Sequence, residues 1–234
     1  MHIDEIGVDD SVAAVFSPER LAKRLGDLPV DARVVDGSLA SRSTCDAVVT
    51  LEHRESFLDL DWVHSIQAGV DRFPHDRFRE DGVVLTDSTG IHGDAVGETV
   101  AGFILALARR LHDHVAHQTD REWARPAWDD GWTVADELAA MREDAYLVNV
   151  ARGGVVDQPA LVEALRTGAV AGGALDVFET EPLPEDSPLW EMDDVIVSPH
   201  CAAYTRDYYR HVGSILEESV RRVDAGEDPV DRAF

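Results

Sequence analysis

The chain has 234 residues, of which 44% are hydrophobic, so it can build a substantial core and is not disordered as a whole. Its formal charge of −25, from 46 acidic and 21 basic side chains, would repel the phosphates of nucleic acids and the surfaces of anionic membranes. The composition therefore predicts neither a nucleic-acid nor a membrane partner.

The acidic composition also predicts adaptation to high salt. Lys23 is the only lysine among the basic residues, and abundant carboxylates keep a surface hydrated when salt screens charge repulsion. An ordinary acidic protein is the alternative reading. Cys45 and Cys201 are far apart and form no C-x-x-C motif, so we predict neither disulfides nor a metal site. The sequence starts without an apolar signal segment, and no apolar run approaches membrane length, so we expect a soluble, cytoplasmic protein.

The first ninety residues alternate short apolar runs with amphipathic stretches, a pattern typical of βαβ units around a parallel sheet. Residues 17–25 form a predicted helix, with Ser17 as N-cap and Pro18 at the first helical position. The predicted strands are Ala32 to Val35, Ala47 to Thr50, Trp62 to Ile66 and Val83 to Thr86.

The longest helical pattern follows, from Asp94 to about His117, and is long enough to connect two domains. After it comes an irregular arm that contains three tryptophans, Trp123, Trp128 and Trp132. So much apolar surface is rarely left in water, so we expect a homodimer that buries this arm.

From about Leu138 the pattern changes to strands and helices in quick succession. A helix is predicted at residues 158–167, closed by Gly168, and a final helix at residues 207–224. The predicted strands are Tyr146 to Val150, Gly173 to Val177 and Val195 to Ser198. They are short apolar runs, as in the interior of a parallel sheet.

Polar residues lie at the carboxyl end of each of these three strands, where open α/β sheets bind ligands. They are Arg152, Asp176 with Glu181, and His200. A guanidinium binds a carboxylate in planar geometry, and a histidine beside a carboxylate exchanges a proton near neutral pH. Together they suit the reduction of a 2-keto acid. Taken singly, each has a plainer explanation as a surface ion-pair, loop or solvated residue.

Three long segments carry a recognisable pattern: DSTGIHGDAVGETVAGFILALARRL, MREDAYLVNVARGGVVDQPALVEAL and GALDVFETEPLPEDSPLWEMDDVIVSPH. They resemble the D-isomer-specific 2-hydroxyacid dehydrogenase family, and within it they resemble the 2-ketoacid reductases of halophilic archaea. The weaker match WVHSIQAGVDRF extends the resemblance over most of the chain. The resemblance implies a flavodoxin-like substrate domain, residues 1–96 and 206–234, and a truncated Rossmann-like coenzyme domain, residues 97–205.

The resemblance also implies roles for individual residues. The substrate arginine falls on Arg152, its acidic partner on Glu181 and the proton-transfer histidine on His200. The amides of Ala68 and Gly69 would receive the carboxylate of the substrate. The implied reaction is reduction of a small 2-keto acid to the D-2-hydroxy acid by an NAD or NADP coenzyme.

On the coenzyme side, the resemblance implies that Asp176 meets the nicotinamide amide, and that Val150, Ala151 and His200 adjoin it. The family's G-x-G-x-x-G phosphate loop is absent, because no two of the 17 glycines stand two apart. Since each βαβ unit takes at least about thirty residues, the missing segment would comprise roughly sixty residues or more. A non-catalytic relative that binds a small carboxylate or a protein partner is therefore the alternative function.

Overall fold

The computed structural model describes residues 1–125 and 145–233. The chain forms two compact units, one from Met1–His92 with Tyr204–Phe234 and the other from Gly93–Ala203. The boundaries predicted from the sequence, after residues 96 and 205, lie a few residues further along the chain. In the described part of the chain, no helix combines the length and the apolar character that crossing a membrane requires.

The first unit is built on a five-stranded parallel sheet with the strand order β2-β1-β3-β4-β5. This is the flavodoxin-like order, so the predicted fold of this unit is confirmed. The strands are β1 Glu5–Asp9, β2 Asp31–Val35, β3 Ala47–Thr50, β4 Trp62–Ser65 and β5 Val84–Thr86. The sequence analysis missed β1, because an acid at each end and a central glycine hide its apolar character.

Helices cover both faces of this sheet, which lies between two hydrophobic clusters. They are α1 Pro18–Leu25, α2 His75–Asp81 and α6 Tyr208–Asp224. Helix α1 begins as predicted, because the Ser17 hydroxyl accepts a hydrogen bond from the amide of Arg20 at 3.3 Å. Helix α6 packs on α1, and an ion pair between Arg24 and Glu217 joins them.

The long helix predicted at residues 94–117 is instead two helices, α3 Gly93–Ala108 and α4 Leu111–Asp120. The helix is interrupted at Arg110, which has a left-handed φ of 49°. Its guanidinium bonds to Asp113 and reaches Asp194 at 3.5 Å. Apolar periodicity continues across such a break, so the sequence pattern does not reveal it.

Little of the tryptophan arm falls within the described residues. Trp123 is 93% exposed, whereas Trp128 and Trp132 lie outside the described ranges. The homodimer that the arm predicts therefore stays a prediction.

The second unit contains a three-stranded parallel sheet with the order β6-β7-β8. Its strands are β6 Tyr146–Asn149, β7 Gly172–Leu175 and β8 Val195–Val197, and helix α5 spans Gln158–Thr167. Helix α5 begins at an Asp157 N-cap, which accepts from the Ala160 amide at 2.9 Å, and ends at Gly168, with φ 71°. The predicted α/β arrangement is confirmed here as well.

Candidate active site

The candidate catalytic residues lie beyond the carboxyl ends of the three strands in the second unit. Arg152 follows β6, Asp176 and Glu181 follow β7, and His200 follows β8. Because the strands are parallel and adjacent, these ends lie at one edge of the sheet. The topology alone thus gathers an arginine, two acids and a histidine.

Glu181 and His200 form a hydrogen-bonded pair at this edge. The distance from His200 Nδ1 to Glu181 Oε2 is 2.7 Å, and the amide of Phe178 donates to Glu181 Oε1 at 3.0 Å. The acceptor is a carboxylate oxygen, so Nδ1 carries the hydrogen and Nε2 is the nitrogen that can deliver a proton elsewhere. The side chains remain 38% and 32% exposed, so solvent or a substrate can reach the pair.

Asp176 holds the turn that carries His200. The residue is only 1% exposed, and its carboxylate accepts from the Ser198 hydroxyl at 2.6 Å and from the amides of Cys201 and Ala202 at 3.0 and 2.9 Å. Its carbonyl oxygen accepts from the His200 amide at 2.8 Å. His200 has a left-handed φ of 50°, unusual for a non-glycine residue, and these bonds support that conformation.

A second group of contacts secures the same turn. The Thr99 hydroxyl on α3 donates to the carbonyl of Ala202 at 3.0 Å. Burial raises the pKa of the Cys201 thiol, and the charge of Asp176 raises it further. The thiol is therefore uncharged at neutral pH and adds no competing negative charge beside His200.

Asn149 and Gly153 shape the turn that carries Arg152. The Asn149 side chain is bonded at both ends, because its nitrogen donates to the Arg152 carbonyl at 3.1 Å and its oxygen accepts from the Ala151 amide at 3.2 Å. A Cβ on Gly153 would lie 1.9 Å from the carbonyl oxygen of Phe178, so only glycine fits there. Arg152 itself is exposed, and its guanidinium donates to the Ala151 carbonyl at 2.8 Å.

The predicted carboxylate loop follows β4 in the first unit. Ala68 and Gly69 are half-buried, and Gly69 has φ 103°, a conformation that favours glycine. The Gly69 amide, predicted to receive a substrate, here donates to the carboxylate of Asp87 at 3.2 Å. In this structure the Gly69 amide is therefore already bonded to a carboxylate, that of Asp87.

The sequence analysis missed a buried polar network beside this loop. The Trp62 indole N–H donates to Thr86 Oγ1 at 2.8 Å, and His64 lies between Thr86 Oγ1 at 2.8 Å and Ser88 Oγ at 3.0 Å. Burial lowers the pKa of His64 to about 3, so the ring is neutral. A polar residue inside the apolar run of β4 was the available signal.

The residues present suit one end of a nicotinamide coenzyme better than the other. Val150 and Ala151 follow β6, and the exposed ring of His200 follows β8, which suits the reacting end of the coenzyme, whereas the carboxylate of Asp176 is buried and already bonded within the His200 turn. The whole sequence contains no G-x-G turn to receive a pyrophosphate.

Comparison with known proteins points to one family. The model of the D-isomer specific 2-hydroxyacid dehydrogenase NAD binding domain matches residues 129–202. A D-3-phosphoglycerate dehydrogenase of Methanocaldococcus jannaschii is 45% identical over 92 residues, which are 39% of this chain and 17% of that protein. A glyoxylate reductase of Thermofilum pendens is 45% identical over 94 residues, 40% of this chain and 28% of that protein. The matched stretch thus spans less than a third of either relative.

Solved structures extend the similarity in fold over nearly the whole chain. An NADPH-dependent glyoxylate/hydroxypyruvate reductase of Sinorhizobium meliloti, in complex with citrate, superposes with a TM-score of 0.76 at 18% identity. The alignment covers 98% of this chain and 97% of that one. Residues 129–202 thus match the D-isomer-specific 2-hydroxyacid dehydrogenase family in sequence, and nearly the whole chain shares the fold of the solved glyoxylate/hydroxypyruvate reductase.

Proposed function

We propose that the protein reduces a small 2-keto acid to the D-2-hydroxy acid with a nicotinamide coenzyme, NAD or NADP. The observation that carries the proposal is the hydrogen-bonded, partly exposed pair of His200 and Glu181. Members of the family are NAD(P)-dependent oxidoreductases, which supports the reaction type.

In the proposed reaction, each residue has one task. Arg152 binds the substrate through its guanidinium, and the amides of Ala68 and Gly69 receive the substrate's carboxylate. His200 donates a proton from Nε2 to the oxygen on C2 as that oxygen becomes an alkoxide. Glu181 holds the ring through its bond to Nδ1, which leaves Nε2 as the nitrogen that transfers the proton.

The coenzyme, when bound, supplies the hydride that reduces C2. Val150, Ala151, Asp176 and His200 would adjoin its nicotinamide end. The bonds around Asp176 keep the His200 turn fixed, so the proton donor does not have to be ordered during the reaction.

A steady-state assay tests this proposal. Purified protein in molar salt is given NADH or NADPH and a series of small 2-keto acids, and coenzyme oxidation is followed. Replacing His200 by Ala should lower kcat/KM by about 100-fold to 10,000-fold, the usual effect of losing a general acid.

The matched control is His211→Ala, which removes an exposed histidine of α6 in the first unit and should leave the rate unchanged. Equal rates for the wild type and His200→Ala would show that His200 does not transfer the proton. No turnover by the wild type with any substrate would contradict the proposed activity itself.

The absence of a G-x-G turn favours a second candidate, a non-catalytic relative that binds a small carboxylate or a protein partner. Calorimetry with NAD, NADP and their reduced forms separates the two functions. Micromolar binding of any of them supports the enzyme, whereas binding weaker than about millimolar for all four supports the second candidate.

A further inference from the structure

The backbone that leaves β4 is bonded at nearly every step before it reaches Gly69. The Ile66 amide donates to the Thr50 carbonyl at 2.9 Å, and the Tyr208 hydroxyl donates to the Ile66 carbonyl at 2.9 Å. The Gln67 amide donates to the Ser65 hydroxyl at 3.2 Å. The path of this segment is thus fixed from several sides.

Ser88 makes two further hydrogen bonds to this segment. Its hydroxyl donates to the Ser65 carbonyl at 3.1 Å, and its amide donates to the Gln67 carbonyl at 3.0 Å. The preceding residue, Asp87, accepts from Gly69. The short stretch after β5 therefore sets the backbone on both sides of Ala68.

The partners of Ser88 determine which groups donate and which accept in the hydrogen bonds around it. A carbonyl only accepts, so the Ser88 hydroxyl spends its single hydrogen on Ser65 and must accept from His64 Nε2. A neutral ring then presents a bare Nδ1, to which the Thr86 hydroxyl donates. That hydroxyl in turn accepts from the Trp62 indole, which can only donate. One consistent arrangement satisfies every group.

We propose that Ser88, oriented by the Nε2–H tautomer of His64, is a positioning residue that presets residues 66–69 to receive a substrate carboxylate. This inference rests on the proposed function, which gives that task to the amides of Ala68 and Gly69. Ser88 and His64 act through the loop and touch no substrate. Without the His64 donor, the buried Ser88 oxygen loses one of its two partners, so only the bond to Ser65 still orients the hydroxyl.

Two substitutions of His64 isolate the bond that matters. The amide nitrogen of glutamine can reach the position of Nε2 and donate to Ser88, whereas the shorter asparagine can pair only with Thr86. We expect His64→Asn and Ser88→Ala to raise the KM for the 2-keto acid about tenfold, with kcat changed less than about twofold, because carboxylate binding is equal in the ground and transition states. His64→Gln should keep a nearly normal KM. Ser214→Ala, which removes an exposed hydroxyl that also donates to a carbonyl, is the matched control.

A second measurement does not depend on activity. In the wild type, nitrogen NMR of His64 should show a protonated Nε2 and a bare Nδ1 that do not titrate near neutral pH. Hydrogen exchange at the amides of Gln67 and Gly69 should be faster in Ser88→Ala and His64→Asn than in the wild type or in His64→Gln.

The outcomes separate this inference from the proposed function. If the wild type reduces no 2-keto acid, the proposed function fails, while the tautomer and exchange measurements still test the positioning of the loop. Equal exchange in the glutamine and asparagine variants would overturn the role of His64. Unchanged exchange in Ser88→Ala would overturn the role of Ser88.

Discussion

The polar groups near the carboxyl ends of the two parallel sheets differ in their exposure to solvent. Beside β4 in the first unit, the polar groups are enclosed and bonded to one another, and His64 is 1% exposed. Beyond β7 and β8 in the second unit, Glu181 and His200 keep 32% and 38% of their side-chain surface exposed. The first arrangement fixes a backbone, and the second presents side chains.

The difference follows from the cost of an unpaired group. A buried donor or acceptor without a partner costs about 1–3 kcal/mol, so the network around His64 permits few geometries. An exposed ion pair contributes only about 0–1 kcal/mol, so Glu181 and His200 add little to stability. Folding stability alone therefore does not account for their arrangement, which is consistent with the proposed proton transfer.

The largest expected effect is the pH dependence of stability that arises from the burial of His64. Its native pKa of about 3 is well below the usual value of 6.5, so the unfolded chain binds a proton as the pH falls through 6.5 and the native ring does not. The stability that His64 contributes is complete above about pH 6.5 and is lost as the pH falls towards 3, by up to about 5 kcal/mol. Urea unfolding of the wild type and of His64→Gln should measure it.

The difference in unfolding free energy between these two proteins should shrink by about 1.4 kcal/mol per pH unit between about pH 6 and pH 4. The exposed His211, replaced by Gln, should show no such slope. A constant difference between wild type and His64→Gln would mean that His64 titrates normally, and the comparison would break.

The next effect concerns the backbone of the second site. Gly153→Ala should destabilise the protein by about 1–3 kcal/mol, because the added methyl group would overlap the carbonyl of Phe178. The turn that carries Arg152 should shift, so kcat/KM should fall as well. Thermal unfolding and the keto-acid assay measure both changes.

Gly154→Ala is an adjacent control, since a Cβ there has nothing within 4 Å. If the two alanine variants unfold at the same temperature, the turn is not packed as described. The backbone of the second site would then be loosely packed as well as its side chains exposed, which would widen the contrast with the enclosed groups of the first unit.

The smallest effect concerns Asp231, beside the first site. Burial raises the pKa of Asp231, and the charge of Asp87 raises it further. Since the native pKa is raised, the stability contributed by this group is complete below the unfolded value of about 3.9 and is lost as the pH rises through the native pKa. Asp231→Asn should therefore stabilise the protein at pH 7 by about 0.5 kcal/mol, with no gain below about pH 4.

Asparagine also tolerates the left-handed φ of 53° at this position. The control is Asp228→Asn, which removes the negative charge from the acceptor of a 2.6 Å bond from Arg232 and should give no stabilisation. Thermal unfolding at pH 7 and below pH 4 measures the change in stability. A loss of stability in Asp231→Asn at pH 7 would contradict the prediction that the charge of Asp231 destabilises the folded protein.

The sequence predicts elements well where a local pattern determines them. Strand β3 has its predicted limits, and so does helix α5, whose N-cap and terminal glycine are local signals. Strand β1 is not predicted because its end acids and central glycine hide its apolar character, and the break at Arg110 is not predicted because it depends on partners such as Asp194, far along the chain.

The candidate site divides in the same way. The apolar strand pattern predicts which strand ends carry polar residues, and the family resemblance assigns roles to Arg152, Glu181 and His200, which stay predictions. Asn149 and Ser88 were missed for a physical reason. Each matters through hydrogen bonds to a backbone whose path is set by the folded chain, and composition and periodicity do not encode that path.

The first unit is discontinuous, and this orders its biosynthesis. A ribosome produces the second unit as one uninterrupted stretch, Gly93–Ala203, before α6 exists. Until Tyr208 emerges, the carbonyl of Ile66 lacks its hydroxyl donor, and Leu21 and Leu25 on α1 lack their cover from α6. Chains halted after Ala203 but before α6 therefore expose the apolar face of α1, the kind of surface that makes a partly folded chain prone to aggregation, although all of the second unit has been synthesised.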